Sequence, residues 1–245
     1  MVKLSAPIQL LKQSVPAEAG PVRLLQEAGF AIKLCAPAGN ERWVPPGQGQ
    51  LILALRGDLR LQQRRERAGA EQHGAERDEP LQQSQLAQVP NDAHWSLSSS
   101  DKSQRALIIS TSVPRMVQRP MDLTRLSSGR LLAGSKTLFA NQSLTLGLRG
   151  LNGRLPFRRR WQLEAQQAKN PILLVVQGLL EGGLYGPQGE SLWQGELPVG
   201  SLLRLPAGSS ARFQAHERCL LLTVESKSGT RSRTAQGPFS PFIDG

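Results

Sequence analysis

The stretch from Gly200 to Ala211 constrains the fold more than any other part of the chain. It has the pattern Gly-x5-Pro-x-Gly, with Pro206 as its proline. Glycine supplies positive φ and proline fixes φ at a strand end, so the spacing predicts a tight turn, a short buried strand and a second tight turn. Apolar runs at residues 172–180 and 219–224 flank the stretch and predict further strands.

Several segments recur about 115 residues later in the chain. The matches are 7–12 with 120–125, 23–25 with 130–132, 51–57 with 172–178, and 89–90 with 205–206. Their offsets of 113, 107, 121 and 116 residues are similar but not constant, which two copies with loops of different length would give. Short strands with recurring turn signals are typical of β-sandwiches and barrels. We therefore predict an all-β protein that arose by internal duplication.

The duplication predicts two domains, at residues 1–113 and 114–225, followed by a flexible basic tail at 226–245 that ends in apolar residues. Within the first domain, residues 62–85 are polar and low in complexity. We predict a solvated, mobile loop there.

The composition predicts a globular protein without a membrane span. Aromatic residues make up only 4% of the chain, but aliphatic residues are plentiful enough for a core. Residues 1–20 contain no continuous apolar run, so we expect neither a secretory signal nor a transmembrane segment, and a cytoplasmic location. The two cysteines, Cys35 and Cys219, lie in apolar, strand-like contexts, which predicts buried hydrophobic residues and not a disulfide.

The net charge of +11 lies mostly in the second half of the chain. Residues 1–112 carry 13 Lys and Arg against 11 Asp and Glu, while residues 113–245 carry 17 against 8. A basic second half favours an acidic protein partner, a small anion, a nucleic acid or an anionic membrane surface, and does not choose among them.

The pattern of motifs resembles the cupin jelly roll, and two tandem copies resemble a bicupin. The second copy carries the resemblance best. Val175 to Leu180 is similar to the central strand of the family, and Gly200, Pro206 and Gly208 match its second motif. The resemblance implies two tandem cupin-like jelly-roll β-barrels, and a homodimer, because cupins often pair through their sheets.

The positions at which metal-dependent cupins hold their metal carry other residue types here. The histidine position of the second motif falls on Ala211 in the second copy and on Trp95 in the first, with His94 one residue earlier. In an extended segment, one residue of shift turns a side chain to the opposite face. The remaining ligand positions fall on Ala165, Gln167 and Pro171 in the second copy, and on Pro45 or Pro46 and Gln50 in the first. The resemblance therefore implies no metal in either copy, and we predict no cofactor.

Two pairs of adjacent residues in the first copy, each containing a tryptophan, are candidates for ligand binding. His94 and Trp95 lie at the barrel mouth if the alignment holds, where they could bind a small organic ligand or supply acid–base chemistry. Arg42 and Trp43 precede the central strand and could bind an anion. The alternative is that both pairs are structural, closing a barrel end or covering a half-buried sheet.

The second copy and the tail supply candidates for partner or anion binding. Arg158, Arg159, Arg160 and Trp161 precede the central strand, where cations and a ring could hold an anionic group; the alternative is a solvated sheet face with the tryptophan packed beneath. Phe239 and Phe242 on the basic tail resemble the anchors of a docking peptide, although the tail could equally fold back on the domains.

The chain contains no phosphate loop, dinucleotide fingerprint or nucleophile elbow, so the sequence leaves catalysis uncertain and favours a non-enzyme. We expect a non-catalytic, metal-free bicupin that binds a protein partner or a small anionic ligand. One alternative is a metal-independent enzyme of the sugar isomerase or epimerase kind, with His94 as its acid or base. The other, which is not favoured, is nucleic-acid binding through Arg158, Arg159 and Arg160.

Overall fold

The structure, a computed structural model, describes residues 6–13, 15, 20–37, 43–65, 77–114, 119–126, 135–154, 160–164 and 170–227. Within these residues almost all regular structure is β-strand. The helical elements are a 3₁₀ turn at Leu10–Lys12 and a one-turn helix, α1, at Leu123–Leu126. The all-β prediction is confirmed.

The strands described in the first half are β1 (Ile8–Gln9), β2 (Val22–Glu27), β3 (Phe30–Cys35), β4 (Gly49–Arg56), β5 (Leu59–Arg65), β6 (Arg77–Leu81), β7 (Gln85–Val89), β8 (Ala93–Ser98) and β9 (Arg105–Thr111). Those in the second half are β10 (Met121–Asp122), β11 (Ser135–Ala140), β12 (Leu144–Asn152), β13 (Arg160–Glu164), β14 (Ile172–Gln177), β15 (Leu180–Tyr185), β16 (Ser191–Leu197), β17 (Ser201–Arg204), β18 (Ser210–Ala215) and β19 (Arg218–Ser226).

Each half contributes one large and one small antiparallel sheet. The large sheets have the orders β10-β7-β4-β9-β3-β2 and β1-β17-β14-β19-β12-β11, and the small sheets have the orders β6-β5-β8 and β13-β18-β15-β16. Strands β4 and β14 hold equivalent central places, as do β9 and β19. The repeated order is the structural counterpart of the duplicated sequence.

The central strands are buried on both faces. In β4, Leu51 and Leu53 face a core shared by the two halves, while Ile52 and Ala54 face the interior of the first jelly roll. Strand β14 divides in the same way between the shared core and the interior of the second jelly roll. A strand that is covered on both faces has apolar side chains at consecutive positions, which explains the unbroken apolar runs of β4 and β14.

The two halves exchange short strands. Ile8 of β1 pairs with Leu202 of β17, so the start of the chain joins the large sheet of the second half. Met121 of β10 pairs in turn with Leu86 of β7 in the first half. The predicted boundary near residue 113 therefore does not divide the sheets strictly by sequence. The exchange also accounts for the match between residues 7–12 and 120–125.

A residue with positive φ lies in the turn before each strand that pairs with an exchanged strand, namely β17 in the second half and β7 in the first. Gly200 has φ of +81°, and its carbonyl accepts a hydrogen bond from the backbone N–H of Leu10 at 2.9 Å. A Cβ at Gly200 would stand 2.6 Å from the side chain of Leu11, so the exchanged segment also requires the missing side chain. At the equivalent turn of the first half, Ser84 takes φ of +64° and accepts from the N–H of Leu123 at 3.1 Å.

The predicted loop over residues 62–85 is wrong at both ends. Strand β5 continues to Arg65, and β6 and β7 occupy most of residues 77–85. Gln62 pairs with Asp78 across β5 and β6, so cross-strand contacts order this polar sequence without an apolar pattern. Residues 66–76 lie outside the described residues, as do 130–132 of the predicted repeat.

No helix among the described residues has both the length and the apolar character needed to cross a membrane.

Both thiols lie in apolar surroundings. Cys219 is 1% exposed in the interior of the second jelly roll, and Cys35 packs, partly buried, against the interior of the first. Burial raises the pKa of Cys35 to about 11 and the pKa of Cys219 to about 12. Cys219 is buried as predicted, whereas Cys35 is only partly so.

We expect both thiols to react very slowly with a disulfide reagent in the native protein near pH 8, because the thiolate is the attacking form and a raised pKa leaves little of it. The measurement is the release of chromophore from Ellman's reagent before and after unfolding in guanidinium chloride. Rapid reaction of either native thiol would contradict the burial described.

Leu10→Ala should lower the free energy of unfolding by about 2 to 5 kcal/mol, the usual cost of truncating a fully buried leucine. Leu10 is 0% exposed in the shared core, which it enters through the exchanged segment. Urea unfolding measures the change, and Lys12→Ala, at an exposed position of the same turn, is the control. Equal stability of the two variants would show that the exchanged segment does not anchor the second half.

Candidate binding groove on the second small sheet

The interior of the first jelly roll is filled by apolar side chains and amides. Trp95 is 6% exposed and packs there in one cluster with Leu61 and Ile108. On the same face of β4, Gln50 accepts a hydrogen bond from the Ser110 hydroxyl at 2.6 Å and donates to the carbonyl of Gln48 at 2.7 Å. The side-chain amide of Gln50, at a position where the cupin resemblance would place a metal ligand, is thus occupied by local hydrogen bonds.

The interior of the second jelly roll is apolar at the positions that could hold a metal. Ala211 is 0% exposed and lies in a cluster with Trp161, Phe213 and Leu173. Pro171 is buried, while Ala165 and Gln167 lie outside the described residues. Nowhere in the described part of the chain do three or more His, Cys, Asp or Glu side chains come together as metal ligands. The residues present do not fit the metal that the cupin resemblance would otherwise imply.

The structure separates His94 from Trp95. The side chain of Trp95 points into the first jelly roll, and that of His94, one residue away, lies on the other face of β8, opposite Arg64. Val44 forms a β-bridge with Trp95, with backbone hydrogen bonds of 2.7 and 3.1 Å. The predicted joint site of His94 and Trp95 therefore has its two members on opposite faces of a strand.

The Trp43 ring makes a cation–π contact within its own chain. The guanidinium of Arg64 lies 4.5 Å from the centre of the Trp43 ring, on the outer face of the first small sheet. Arg42 lies outside the described residues. Trp43 therefore stacks on a cation of its own chain, which favours the structural interpretation of this pair.

The two arginine–tryptophan segments are not equivalent in register. Val44 lies opposite Trp95 in the first half, and Leu163 lies opposite Ala211 in the second. Because Trp95 and Ala211 occupy matching positions, Trp43 corresponds to residue 162 and not to Trp161. The two tryptophans therefore stand one residue apart in register and face opposite sides of their sheets.

Arg160 and Trp161 point to opposite faces of β13. Trp161 is 8% exposed, lies 6.1 Å from Phe213 between ring centres, and carries the guanidinium of Arg149 at 4.9 Å over its ring. Burial lowers the pKa of Arg149. Arg160 is exposed on the outer face. Arg158, Arg159, Phe239 and Phe242 lie outside the described residues.

A groove of about 620 Å³ lies at the second small sheet, and we call it the outer groove. Five polar side chains line it: Arg160, Gln162, Glu181, Arg212 and Gln214. Sequence analysis found only Arg160 among them. The signal that was available is the alternation in β18, where Ala211, Phe213 and Ala215 face the core and the intervening Arg212 and Gln214 face outwards.

On the first small sheet Arg60 and Arg77 are paired with carboxylates, whereas Arg64 stacks on Trp43. Arg60 donates two hydrogen bonds to Asp78 through its Nε, at 2.8 and 2.9 Å, and these bonds hold the pKa of Asp78 below its usual range. Arg77 lies 2.7 Å from Glu79. Such pairs leave little positive charge for an external anion.

The cations of the outer groove differ in this respect. Within the residues that the structure describes, neither Arg160 nor Arg212 has an ion pair. Arg212 lies over the Tyr185 ring, with its guanidinium carbon 5.3 Å from the ring centre. Glu181 is engaged elsewhere, since one of its carboxylate oxygens lies 2.7 Å from Nε2 of His216. The groove therefore presents two guanidinium groups to solvent.

A second cavity of about 690 Å³ lies at the junction of the two halves, between Asn91 and Asn141. The side-chain Oδ1 of Asn91 accepts from the N–H groups of Gly49 and Val113 at 2.9 and 2.8 Å. The Asn141 amide donates to Thr111 and to the carbonyl of Ser112, both at 2.8 Å. The Asn141 amide links the two halves, Asn91 bonds within the first half, and both have little capacity left for a ligand.

Comparison with known proteins supports the fold alone. No protein-family model matches the chain, and no curated protein matches it. Among solved structures, a cupin 2 conserved barrel domain protein from Leptotrichia buccalis is similar over 92% of this chain and 98% of its own, with 16% identity and a TM-score of 0.66.

Two further solved structures are similar to the chain. The protein Ylba from E. coli is similar over 94% of each chain, with 10% identity and a TM-score of 0.63. An oxalate decarboxylase variant from Bacillus subtilis is similar over 82% of this chain and 69% of its own, with 7% identity and a TM-score of 0.53. The fold of this chain is therefore that of two tandem cupin-like jelly rolls.

Proposed function

We propose that the chain is a metal-free bicupin of the cupin superfamily that acts as a non-catalytic binding protein for an anionic partner. The observation that carries the proposal is the outer groove, in which Arg160 and Arg212 have no carboxylate partner within the described residues. The partner is a small anionic ligand or an acidic segment of another protein. The cytoplasmic location and the homodimer stay predictions from sequence.

The filled interiors support a function outside the jelly rolls. Catalytic metal sites need several imidazole, carboxylate or thiolate ligands around an open position. The matching positions here carry Ala211, Trp95 and Gln50, and the first two pack in apolar clusters. The polar groups that a ligand could contact therefore lie on the outer face of the second small sheet.

Arginine chemistry suits this role. The guanidinium group is planar, stays charged at all relevant pH values and binds carboxylate or phosphate through two parallel hydrogen bonds. Stacking of Arg212 on Tyr185 limits its rotamers before the ligand arrives, which reduces the entropy lost on binding. The amides of Gln162 and Gln214 lie between the two cations and add neutral donors.

Replacement of both arginines by glutamine should weaken anion binding by about tenfold or more, since each hydrogen bond between charged groups contributes about 1.5 kcal/mol or more. Isothermal titration with glutarate, inorganic phosphate and a peptide of consecutive glutamates measures the effect. The control is the double variant Arg23→Gln with Lys136→Gln, which removes two exposed cations from the edge strands of the large sheets.

Equal loss of binding in both double variants would show that net charge alone attracts the anion, and would contradict the proposal. So would the absence of binding to every probe. The enzyme alternative has its own test, because it requires that His94→Ala abolish turnover while leaving the fold intact.

A further inference from the structure

The outer groove also contains a carboxylate that the anion proposal leaves unexplained. Gln214 of β18 lies directly opposite Arg160 on one side and Glu181 on the other. Arg212, two residues before Gln214, is the diagonal neighbour of both charged residues, so Cβ separations are about 7 to 8 Å. Two cations and one anion therefore surround a central amide.

Only one of the two carboxylate oxygens of Glu181 has a contact within the described residues. His216 contacts Oε2 of its carboxylate at 2.7 Å, and both side chains are about half exposed, at 51% for His216 and 58% for Glu181. Within the described part of the chain, Oε1 of Glu181 has no partner. Because Arg212 stacks on Tyr185, it forms no ion pair with Glu181. The carboxylate can therefore accept a hydrogen bond from a ligand.

A glycine lies opposite Arg212 on the neighbouring strand. Gly183 lies opposite Arg212 on β15, where any other residue would project a side chain onto the outer face. A Cβ there would stand 3.0 Å from the carbonyl oxygen of Trp193 and 3.1 Å from the Tyr185 hydroxyl. Arg212 therefore has no side chain directly opposite it on β15, where a larger residue would crowd Trp193 and Tyr185.

We propose that the outer groove binds a small amino-acid-like ligand that carries both carboxylate and ammonium groups. The α-carboxylate pairs with Arg212, the ammonium donates to Glu181, and the Gln214 amide contacts the atoms between them. Arg160 and Glu181 are two strands apart, roughly 10 Å between backbones. A second carboxylate on the ligand side chain can therefore reach Arg160, which favours an acidic amino acid with net negative charge.

This inference rests on the proposed function, since it names the anion class that the groove accepts. It adds one requirement that a plain anion site lacks, namely a cationic group on the ligand. The requirement depends on Glu181 and on neither arginine, so it can be tested separately from them.

The test compares L-glutamate with glutarate, which has the same carbon chain and both carboxylates but no ammonium. Isothermal titration of the full chain should show glutamate binding about fivefold more tightly, the factor that an exposed ion pair of about 1 kcal/mol gives. Glu181→Gln should remove this preference and leave the affinity for glutarate unchanged or higher. Glu196→Gln is the matched control, because Glu196 is exposed, pairs directly with Glu181 and lies on the next strand.

Each outcome separates the two proposals. Equal affinity of the wild-type protein for the two compounds, or an unchanged preference in Glu181→Gln, overturns the amino-acid inference and leaves the anion proposal standing. If neither compound binds but the glutamate peptide binds and depends on the two arginines, the inference again fails alone. If no anion responds to the arginine variants, both proposals fail. Thermal unfolding of Glu181→Gln at the wild-type temperature shows that the groove is folded.

Discussion

The packing of the two large sheets against each other is the interaction on which the rest of the structure depends. Their facing side chains form one apolar core, to which β4 contributes Leu51 and Leu53, and β14 contributes Leu174. Each of these leucines is at most 1% exposed, and full burial of such a side chain stabilises the fold by about 2 kcal/mol. The exchanged strands β1 and β10 extend the same sheets across the boundary between the halves.

This shared core determines where function can lie. It occupies one face of each large sheet, and the other face closes the interior of a jelly roll. In the first interior Trp95 fills the space, and in the second Trp161 and Phe213 do so. We propose recognition on the outer face of the second small sheet. The first small sheet pairs Arg60 with Asp78 and Arg77 with Glu79 and stacks Arg64 on Trp43, while Arg160 and Arg212 of the second have no ion pair within the described residues.

The fold could be predicted from sequence where a local signal determines the backbone. Gly200 and Pro206 indicated the turn and strand end, and the run from Leu51 to Leu55 indicated a doubly covered strand. The equivalent turn of the first half lacks its glycine because Ser84 takes the positive φ, so the motif was visible only in the second half. The exchange of strands could not be predicted, because two-residue strands have no periodicity and pair at long range.

The candidate site was harder to predict than the fold. Arg160 could be found as part of a basic cluster, but its partners Arg212 and Glu181 lie on other strands, and only the register between strands brings them together. His94 and Trp95 were predicted as a joint site, but adjacent residues in a strand face opposite sides, and the structure places them so.

The central claim is that the side chains inside the two jelly rolls do not form metal sites, and metal content tests it most directly. The measurement is elemental mass spectrometry of the protein after expression with added manganese, iron, zinc and nickel, followed by dialysis without chelator. The account predicts a metal content far below one equivalent per chain. About one equivalent of a single transition metal, the stoichiometry of a genuine catalytic site, would contradict it.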